Sequence, residues 1–183
     1  MNAAQLKLDR VIETCLYSDD LDRSARFYEE VLRLPLMTAD SRFRAYDVGG
    51  RSVLLIFRRG ATRETVHMPE GTIPPHDGHG DLHIAFAIAA DELPDWEKRL
   101  TAHGIPIEGR AKWTRGGESI YFRDPDWHLL ELATPGLWAI AQKRVSRASS
   151  TRYGRAPRRH AGESPAVPHI AARGNRWFEP RYC

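Results

Sequence analysis

Long apolar segments and cysteines are both scarce in this chain of 183 residues. The longest apolar run, Ile84 to Ala90, is far shorter than the ~20 residues that a membrane-spanning helix needs. The opening residues, MNAAQLKLDR, lack the apolar stretch of a secretory signal, so we expect a cytoplasmic protein that does not cross a membrane. Two cysteines, Cys15 and Cys183, are too few for a disulfide framework, and Cys15 lies in an apolar run typical of a core position.

Acidic residues are nearly missing from the last quarter of the chain. Residues 139–183 hold 10 Lys and Arg against 2 Asp and Glu, whereas residues 1–138 hold 17 against 22. Arg, Ala, Ser, Pro and Gly dominate this tail, and such a composition cannot offset the entropy lost on ordering. We therefore expect residues 139–183 to form a basic, disordered extension. The alternative is an arm that binds nucleic acid, but Arg, Ala and Pro by themselves are poor evidence for base stacking.

The remaining body contains two copies of one unit of about 70 residues. The first copy begins with RVIETCLYSDDLDRSARFYEEVLRLPL and ends with YDVGGRSVLLIF. The second begins with DLHIAFAIAADELPDWEKRLTAHGIPI and ends with YFRDPDWHLLEL. In each copy a strand is followed by a helix and then by about three strands. This order predicts an α+β fold of two βαβββ modules, residues 9–60 and 80–138, joined by a linker, residues 61–79.

Both predicted helices carry an apolar stripe at helical spacing. Asp20 is the expected N-cap of the first helix, and Gly104 is the expected end of the second. The stripe residues are Leu21, Ser24, Ala25, Tyr28, Val31 and Leu32 in the first helix and Leu93, Trp96, Leu100 and His103 in the second. One helix covers only one face of a sheet, so two modules must pair to cover the other face. That pairing predicts a curved sheet around a shared cleft.

Three histidines lie close together in the stretch HDGHGDLHIAF, and only one of them lies within a predicted strand. Alternate residues of a strand point to opposite faces, so the large apolar residues of DLHIAFAI share one face. His83 shares the other face with Ala85 and Ala87, which leave room for a ligand. His76 and His79 lie in the Gly- and Pro-rich connector, and we expect them to be loop residues.

Two carboxylates, Glu13 and Glu131, lie inside apolar strands of the repeat. Superposing the copies places Glu13 at the position of His83, and aligning Tyr46 with Tyr121 places Ile56 opposite Glu131. A carboxylate inside an apolar strand is costly unless a cation or hydrogen-bond donors satisfy it. Two carboxylates and one imidazole would suit manganese, iron or zinc. The alternative is that each acid pairs with one of the many arginines.

The sequence resembles the vicinal oxygen chelate superfamily, which includes glyoxalases, extradiol dioxygenases, fosfomycin-resistance thiol transferases and bleomycin-binding proteins. DLDRSARFYEEVLRL is similar to the opening helix of the family, and SIYFRDPDWHLLELATPG is similar to its closing strand pair. The resemblance covers about residues 9–138. It implies paired βαβββ modules with a divalent ion, manganese, iron, zinc or nickel, bound in the cleft between them.

The resemblance also implies the ligands of this ion. They fall on Glu13, where relatives often have histidine, on His83 and on Glu131. The fourth ligand of glyoxalase I enzymes would fall on Ile56, which cannot coordinate a metal, so a strict glyoxalase I is not expected. Tyr121 is the expected catalytic hydrogen-bond donor.

Four further residues are candidates for substrate binding. Lys112 and Arg115 precede the closing strands and could hold an anionic group; the alternative is that they are solvated loop cations. Trp113 either lines the cleft or caps the core, and we favour the core. Trp127 replaces a glycine in the usual DPDGH or DPDGN turn, where positive φ is common, and we expect a changed turn with an indole at the cleft mouth. His128 follows this turn, and both a surface position and a supporting one remain open.

These features favour a metal-dependent lyase, thiol transferase or dioxygenase that acts on a small oxygen-bearing substrate. The alternative is a metal-free protein that sequesters a drug, as bleomycin-resistance proteins do. Two copies of the chain could build the cleft together as a homodimer.

Overall fold

A computed structural model describes residues 6–139 of the chain. Nearly all of the predicted basic tail, residues 140–183, lies outside the described residues. The first module has its elements in the predicted order. They are β1 (Glu13–Ser18), α1 (Leu21–Arg26), a π-helical turn that continues α1 (Phe27–Val31), β2 (Leu36–Ala39), β3 (Phe43–Val48) and β4 (Ser52–Arg58).

The second module repeats this order after a small hairpin. Its elements are β7 (His83–Ala87), a 3-10 turn (Ala90–Glu92), α2 (Leu93–Ala102), β8 (Gly109–Lys112), β9 (Glu118–Arg123) and β10 (Leu129–Ala133). The hairpin, β5 (Val66–Met68) and β6 (Gly71–Ile73), lies in the linker, where the sequence predicted only a connector. Strands of three residues are too short to leave a periodic pattern.

The two modules have the same sheet topology. The strand orders are β1-β4-β3-β2 and β7-β10-β9-β8. In each sheet the first two strands of this order are parallel, and the other neighbours are antiparallel. The fold is therefore α+β with two mixed four-stranded sheets, and the sequence repeat corresponds to a structural repeat.

The first helix begins and packs largely as its sequence pattern predicts. The Asp20 side chain accepts hydrogen bonds of 3.0 Å from the backbone N–H groups of Asp22 and Arg23, which caps the helix. The π-helical turn then changes the register, and the N–H of Leu32 bonds to the carbonyl of Phe27 at 3.2 Å. Both Phe27 and Tyr28 are consequently fully buried, although the apolar stripe had included only Tyr28.

One apolar core draws on both modules. The rings of Phe27 and Phe122, one from each module, lie 6.5 Å apart between centroids. Leu100 of α2 is fully buried in the same cluster, and Leu93 and Trp96 pack against it, as the second stripe predicted. Gly104 then ends the helix with φ of 70°. Among residues 6–139, no helix has the length and apolar character needed to cross a membrane.

Candidate functional site

Strand β7 presents its small residues on the face that points away from the core. Ile84 and Phe86 pack against the core cluster, whereas His83, Ala85 and Ala87 are exposed. The parallel neighbour β10 pairs Glu131 with Ala85. The predicted alternation along this strand is therefore present, and it leaves an open surface around His83.

His83 and Glu131 meet on this open face. The Nε2 atom of His83 lies 3.2 Å from Oε2 of Glu131, and its Nδ1 atom lies 3.1 Å from the carbonyl oxygen of Leu129. Because a carbonyl can only accept, Nδ1 carries a proton, and Nε2 of the neutral ring presents a lone pair toward the carboxylate. Such a contact is repulsive unless a proton or a cation lies between the two atoms.

The Glu131 carboxylate is short of partners. It is only 4% exposed, and its Oε1 atom is buried with no hydrogen-bond partner in the described part of the chain. A buried, half-satisfied carboxylate facing an imidazole lone pair fits a divalent cation, and metal-binding histidines commonly donate their second N–H to a backbone carbonyl, as His83 does. The donor set of this pair is therefore suited to a metal ion.

Tyr121 belongs to the same cluster. It is the antiparallel ladder partner of Glu131, and its ring centroid lies 6.3 Å from that of His83. Burial, and then the charge of Glu131, raise the pKa of Tyr121, so its hydroxyl stays protonated and can donate. Three of the predicted site residues are thus brought together on the second sheet.

Glu13 lies apart from this cluster, on the first sheet. It is exposed at the first position of β1, as His83 is at the first position of β7, and the described residues offer it no hydrogen bond or ion pair. Burial, and then the charge of Glu13, raise the pKa of Cys15, which follows on the same face of β1. Within residues 6–139, no group of three or more His, Cys, Asp and Glu side chains is placed to hold a metal. Neither Glu13 nor Glu131 pairs with an arginine among these residues. The structure therefore contradicts the alternative in which each acid pairs with an arginine.

The strand ladders correct one alignment of the repeat. Glu13 pairs with Val53, and His83 pairs with Leu129, so Glu131 corresponds to Leu55. The sequence alignment had placed Ile56 there, because it matched the two tyrosines, whereas in the ladders Tyr46 corresponds to Phe122. Leu55 is also unable to coordinate a metal.

The predicted cationic residues lie at the end of the edge strand β8 and in the turn after it. Lys112 is highly exposed and only 3.8 Å from Glu118, and Arg115 is exposed in the turn that follows β8. The indole N–H of Trp113 donates a 2.8 Å hydrogen bond to Oγ of Ser119. Trp113 is still 38% exposed, so it caps the edge of the open face instead of lying in the core as we favoured from the sequence.

Trp127 keeps the backbone conformation of the glycine it replaces. Its φ is 69°, a left-handed conformation that is costly for a bulky side chain. The turn is imposed by Asp124, whose Oδ1 accepts hydrogen bonds from the N–H groups of Asp126 (2.9 Å) and His128 (2.8 Å). The expected change of turn is therefore wrong, and the turn ends next to the site, where the N–H of Leu129 bonds to the carbonyl of Leu82.

A buried polar cluster joins this turn to the first helix. Asp124 accepts hydrogen bonds from the Tyr28 hydroxyl (2.7 Å) and from Nδ1 of His128 (2.8 Å). Asp126 accepts from the Ser24 hydroxyl at 2.6 Å. His128 is 1% exposed, which resolves its position as a supporting one. The sequence offered no signal for these contacts beyond the DPD turn itself.

The connector histidine His76 lies against the open face of the first sheet. Its Nδ1 is 2.7 Å from the Tyr17 hydroxyl, and its ring meets that of Phe57 edge to face at 5.0 Å. Gly78 allows the connector to come this close, because a Cβ atom at that position would lie 2.6 Å from the Tyr17 ring. A glycine in the connector was the sequence feature related to this contact. His76 is therefore a loop residue, as predicted, and it packs on the first sheet.

The chain has two βαβββ modules, and the His83–Glu131 pair on an open sheet face is suited to a metal. These features define the class of the glyoxalase-like proteins. Residues 7–132 match the Glyoxalase/Bleomycin resistance protein/Dioxygenase superfamily, and the chain belongs to this family. Metallothiol transferase FosB of Bacillus licheniformis is 32% identical to it over 116 residues, which are 63% of this chain and 68% of the relative.

Solved structures share this fold. Lactoylglutathione lyase from Agrobacterium tumefaciens is 29% identical with a TM-score of 0.66, over 74% of this chain and 100% of that chain. The genomically encoded fosfomycin resistance protein FosX from Listeria monocytogenes is 22% identical with a TM-score of 0.51, over 73% of this chain and 97% of that chain. The latter similarity supports the fold alone.

Proposed function

We propose that this protein is a divalent-metal-dependent thiol transferase that acts on a small oxygen-bearing substrate in the cytoplasm. The observation that carries the proposal is the geometry of His83 and Glu131. An imidazole Nε2 lies 3.2 Å from one carboxylate oxygen, and the other oxygen is buried without a partner. His83 and Glu131 would hold a divalent ion, which would supply a partner for the imidazole nitrogen and for the carboxylate.

The choice of thiol transfer over the other chemistries of the family rests on two observations. The curated relative with 32% identity is named a metallothiol transferase. The position that corresponds to Glu131 in the first module is Leu55, so the four-ligand set of glyoxalase I is not available. A three-ligand site leaves more coordination positions for substrate oxygen atoms.

The side chains around the pair have distinct roles in this proposal. His83 and Glu131 hold the ion, which supplies Lewis-acid polarisation of substrate oxygen when bound. The protonated Tyr121 hydroxyl donates a hydrogen bond to a substrate oxygen on which negative charge develops. Lys112 and Arg115 attract an anionic group at the rim. The exposed indole of Trp113 limits the position of the substrate and excludes water.

Trp127 has a similar limiting role at the end of the strand. Its turn leads directly into β10, whose first residue, Leu129, pairs with His83. An indole held there in a left-handed conformation narrows the entrance to the site. The backbone cost of that conformation is consistent with a residue retained for binding instead of for stability.

The third ligand, Glu13, comes in this proposal from a second copy of the chain. Glu13 is exposed and unpaired in the described part of the chain, and it lies on the open face of the first sheet. His76 of the connector covers Tyr17 and Phe57 of that face, whereas the open face of the second sheet carries the exposed Ala85 and Ala87. A homodimer would thus complete two equivalent sites.

Metal analysis tests the proposal first. Tag-free native protein should take up a stoichiometric amount of Mn²⁺, Fe²⁺, Zn²⁺ or Ni²⁺ and should melt at a higher temperature when it is loaded. Glu131→Gln and His83→Asn should lose both effects. The matched control is Glu118→Gln, which removes a carboxylate from β9 of the same sheet and should behave as native protein. Only trace metal in the native protein, with no thermal stabilisation, would rule the proposal out.

An activity assay then tests the transfer reaction. Metal-loaded protein is mixed with L-cysteine and fosfomycin, and the loss of free thiol is followed with time. We expect a rate that requires both the ion and Glu131 and that falls in Tyr121→Phe. Metal uptake without thiol consumption would retain a metalloprotein and reject this reaction.

A metal-free ligand-binding protein is the second candidate, and one observation favours it. The rings of Tyr17, Phe43 and His76 each lie against the ring of Phe57 on the first sheet, and such clusters are suited to aromatic ligands. Titration of chelator-treated protein with bleomycin, followed by tryptophan fluorescence, separates the candidates. Saturable binding that is unaffected by Glu131→Gln would support this second function.

A further inference from the structure

The orientation of the His83 ring depends on one backbone residue, Leu129. Nδ1 of His83 donates to the Leu129 carbonyl oxygen, 3.1 Å away, and the Leu129 N–H donates a 2.7 Å hydrogen bond to the carbonyl of Leu82. Leu129 and His83 are also ladder partners in β10 and β7. The position of Leu129 therefore decides where Nε2 of His83 points, and Nε2 is the atom that faces Glu131.

The turn that leads into Leu129 is anchored on one carboxylate, that of Asp124. Asp124 is 1% exposed, and its side chain accepts four hydrogen bonds of 2.7 to 2.9 Å. Two of them come from the backbone N–H groups of Asp126 and His128, one from Nδ1 of His128 and one from the Tyr28 hydroxyl. The residue next to Leu129 is thus bound to Asp124 through both its backbone and its ring.

The ring of His128 contributes to the structure through this bond. It is almost completely buried, and its Nε2 atom has no hydrogen-bond partner in the described part of the chain. A buried polar atom without a partner costs free energy, which a phenylalanine at this position would avoid. The bond from Nδ1 to Asp124 offsets that cost, and it holds the residue before Leu129 more firmly than the backbone bond would alone.

We propose that Asp124 is a positioning residue of the candidate metal site. It fixes His128, and through His128 it fixes the Leu129 carbonyl that orients the His83 imidazole. A metal-binding histidine depends on the group that accepts its second N–H, because that group sets the tautomer and the direction of the binding nitrogen. This inference rests on the proposed function, in which His83 and Glu131 hold the ion.

Asp126 provides a matched control within the same turn. Its carboxylate accepts hydrogen bonds from the Ser24 hydroxyl, at 2.6 Å, and from the backbone N–H of Asp19, at 3.0 Å, and it forms an ion pair with Arg23. These partners belong to the first helix and to the residues just before it. Asp126→Asn therefore weakens a buried contact between turn and helix without removing a bond from the residue next to Leu129.

The first experiment measures the affinities of Zn²⁺ and Mn²⁺ for tag-free, full-length protein, at a temperature where thermal unfolding shows each variant to be folded. Asp124→Asn keeps the size of the side chain but turns one acceptor oxygen into an amide NH₂ group that faces two donors. It should weaken the binding of both ions by at least about tenfold. His128→Phe loses only the ring bond and should weaken binding by a smaller factor, whereas Asp126→Asn should bind both ions as native protein does.

The second experiment uses metal-free protein and measures amide hydrogen exchange along β10. The N–H of Leu129 should exchange faster in Asp124→Asn and in His128→Phe than in native protein, relative to the rest of the strand, because its bond to Leu82 loosens with the turn. Asp126→Asn should leave this relative rate unchanged.

The outcomes separate this inference from the function on which it rests. Native metal affinity in both Asp124→Asn and His128→Phe would overturn the inference and leave the proposed function standing. An equal loss of affinity in Asp124→Asn and Asp126→Asn would also overturn it, because general destabilisation would then explain the loss. If Asp124→Asn does not fold, the comparison of His128→Phe with Asp126→Asn decides in the same way. If native protein binds neither ion, the inference and the proposed function are overturned together.

Discussion

The hydroxyl of Tyr28, on the first helix, donates a 2.7 Å hydrogen bond to Oδ2 of Asp124, which lies 96 residues later in the turn before β10. Both side chains are almost fully buried, and the same carboxylate oxygen accepts a hydrogen bond from Nδ1 of His128. This contact links the helix of one module to the turn that leads to Glu131. It therefore connects the stability of the core with the position of the candidate site.

We expect Tyr28→Phe to lower the free energy of unfolding by about 1–3 kcal/mol, because it removes a donor from a buried carboxylate. Urea denaturation measures the change. The matched control is Tyr46→Phe, since the Tyr46 hydroxyl makes a longer bond, 3.2 Å, to the exposed Glu29 and should matter less. Equal effects of the two substitutions would show that the buried bond has no special weight.

The same two tyrosines predict how stability changes at alkaline pH. Burial and neighbouring carboxylates raise the pKa of Tyr28 and of Tyr46 above the ordinary value of 10.0. Above pH 10 the unfolded chain therefore loses phenolic protons that the folded chain retains, and the free energy of unfolding falls as pH rises. Below pH 10 this contribution is fully present.

Urea denaturation on either side of pH 10 measures this dependence. Native protein should lose stability on the alkaline side, and the double variant Tyr28→Phe, Tyr46→Phe should lose less of it over the same interval. An unchanged slope in the double variant would show that other groups cause the alkaline loss.

Much of this architecture was predictable from local patterns. The alternation in DLHIAFAI predicted that His83 and Ala85 share an open face, and the side chain of Asp20 predicted the helix start. These predictions worked because each depends on residues that are neighbours along one element. The order of elements along each module followed from the repeat.

Other features depend on contacts between distant residues and left no pattern in the sequence. The burial of His128 depends on Asp124 and on Tyr28 of the other module. Strand pairing makes Leu55 correspond to Glu131. The sequence alignment matched two tyrosines instead, and it was therefore displaced by one residue. Whether Glu13 meets His83 also lies beyond local pattern, because it requires contact between different sheets.

Trp127 supplies a test of backbone strain. A left-handed conformation costs a non-glycine residue roughly 1–2 kcal/mol. Glycine avoids this cost, but its more flexible unfolded state offsets part of the gain in stability. Trp127→Gly and Trp127→Ala lose the same indole, so their difference isolates the backbone. We expect the glycine variant to be more stable by up to about 1 kcal/mol in urea denaturation.

A second position with the same geometry controls this comparison. Arg33 has φ of 56°, and Arg33→Gly should likewise be more stable than Arg33→Ala. Trp127→Ala could instead be as stable as Trp127→Gly, while Arg33→Ala is less stable than Arg33→Gly. That result would mean that the turn set by Asp124 relaxes when the indole is removed and that the strain at Trp127 arises from the side chain itself.

Gly78 supplies the last prediction, because it allows the connector to lie on the first sheet. A Cβ atom at this position would come within 2.6 Å of the Tyr17 ring, which is itself buried against the sheet and has little room to move. We expect Gly78→Ala to lower the free energy of unfolding by about 1–3 kcal/mol and to separate His76 from the Tyr17 hydroxyl. Gly71→Ala is the matched control, since no atom lies within 4 Å of its added Cβ. Hydrogen exchange should become faster at His76, whose backbone N–H is bonded to the carbonyl of Thr62, in Gly78→Ala alone. Native protection at His76 in that variant would mean that the connector is held by Thr62 and does not depend on its contact with Tyr17.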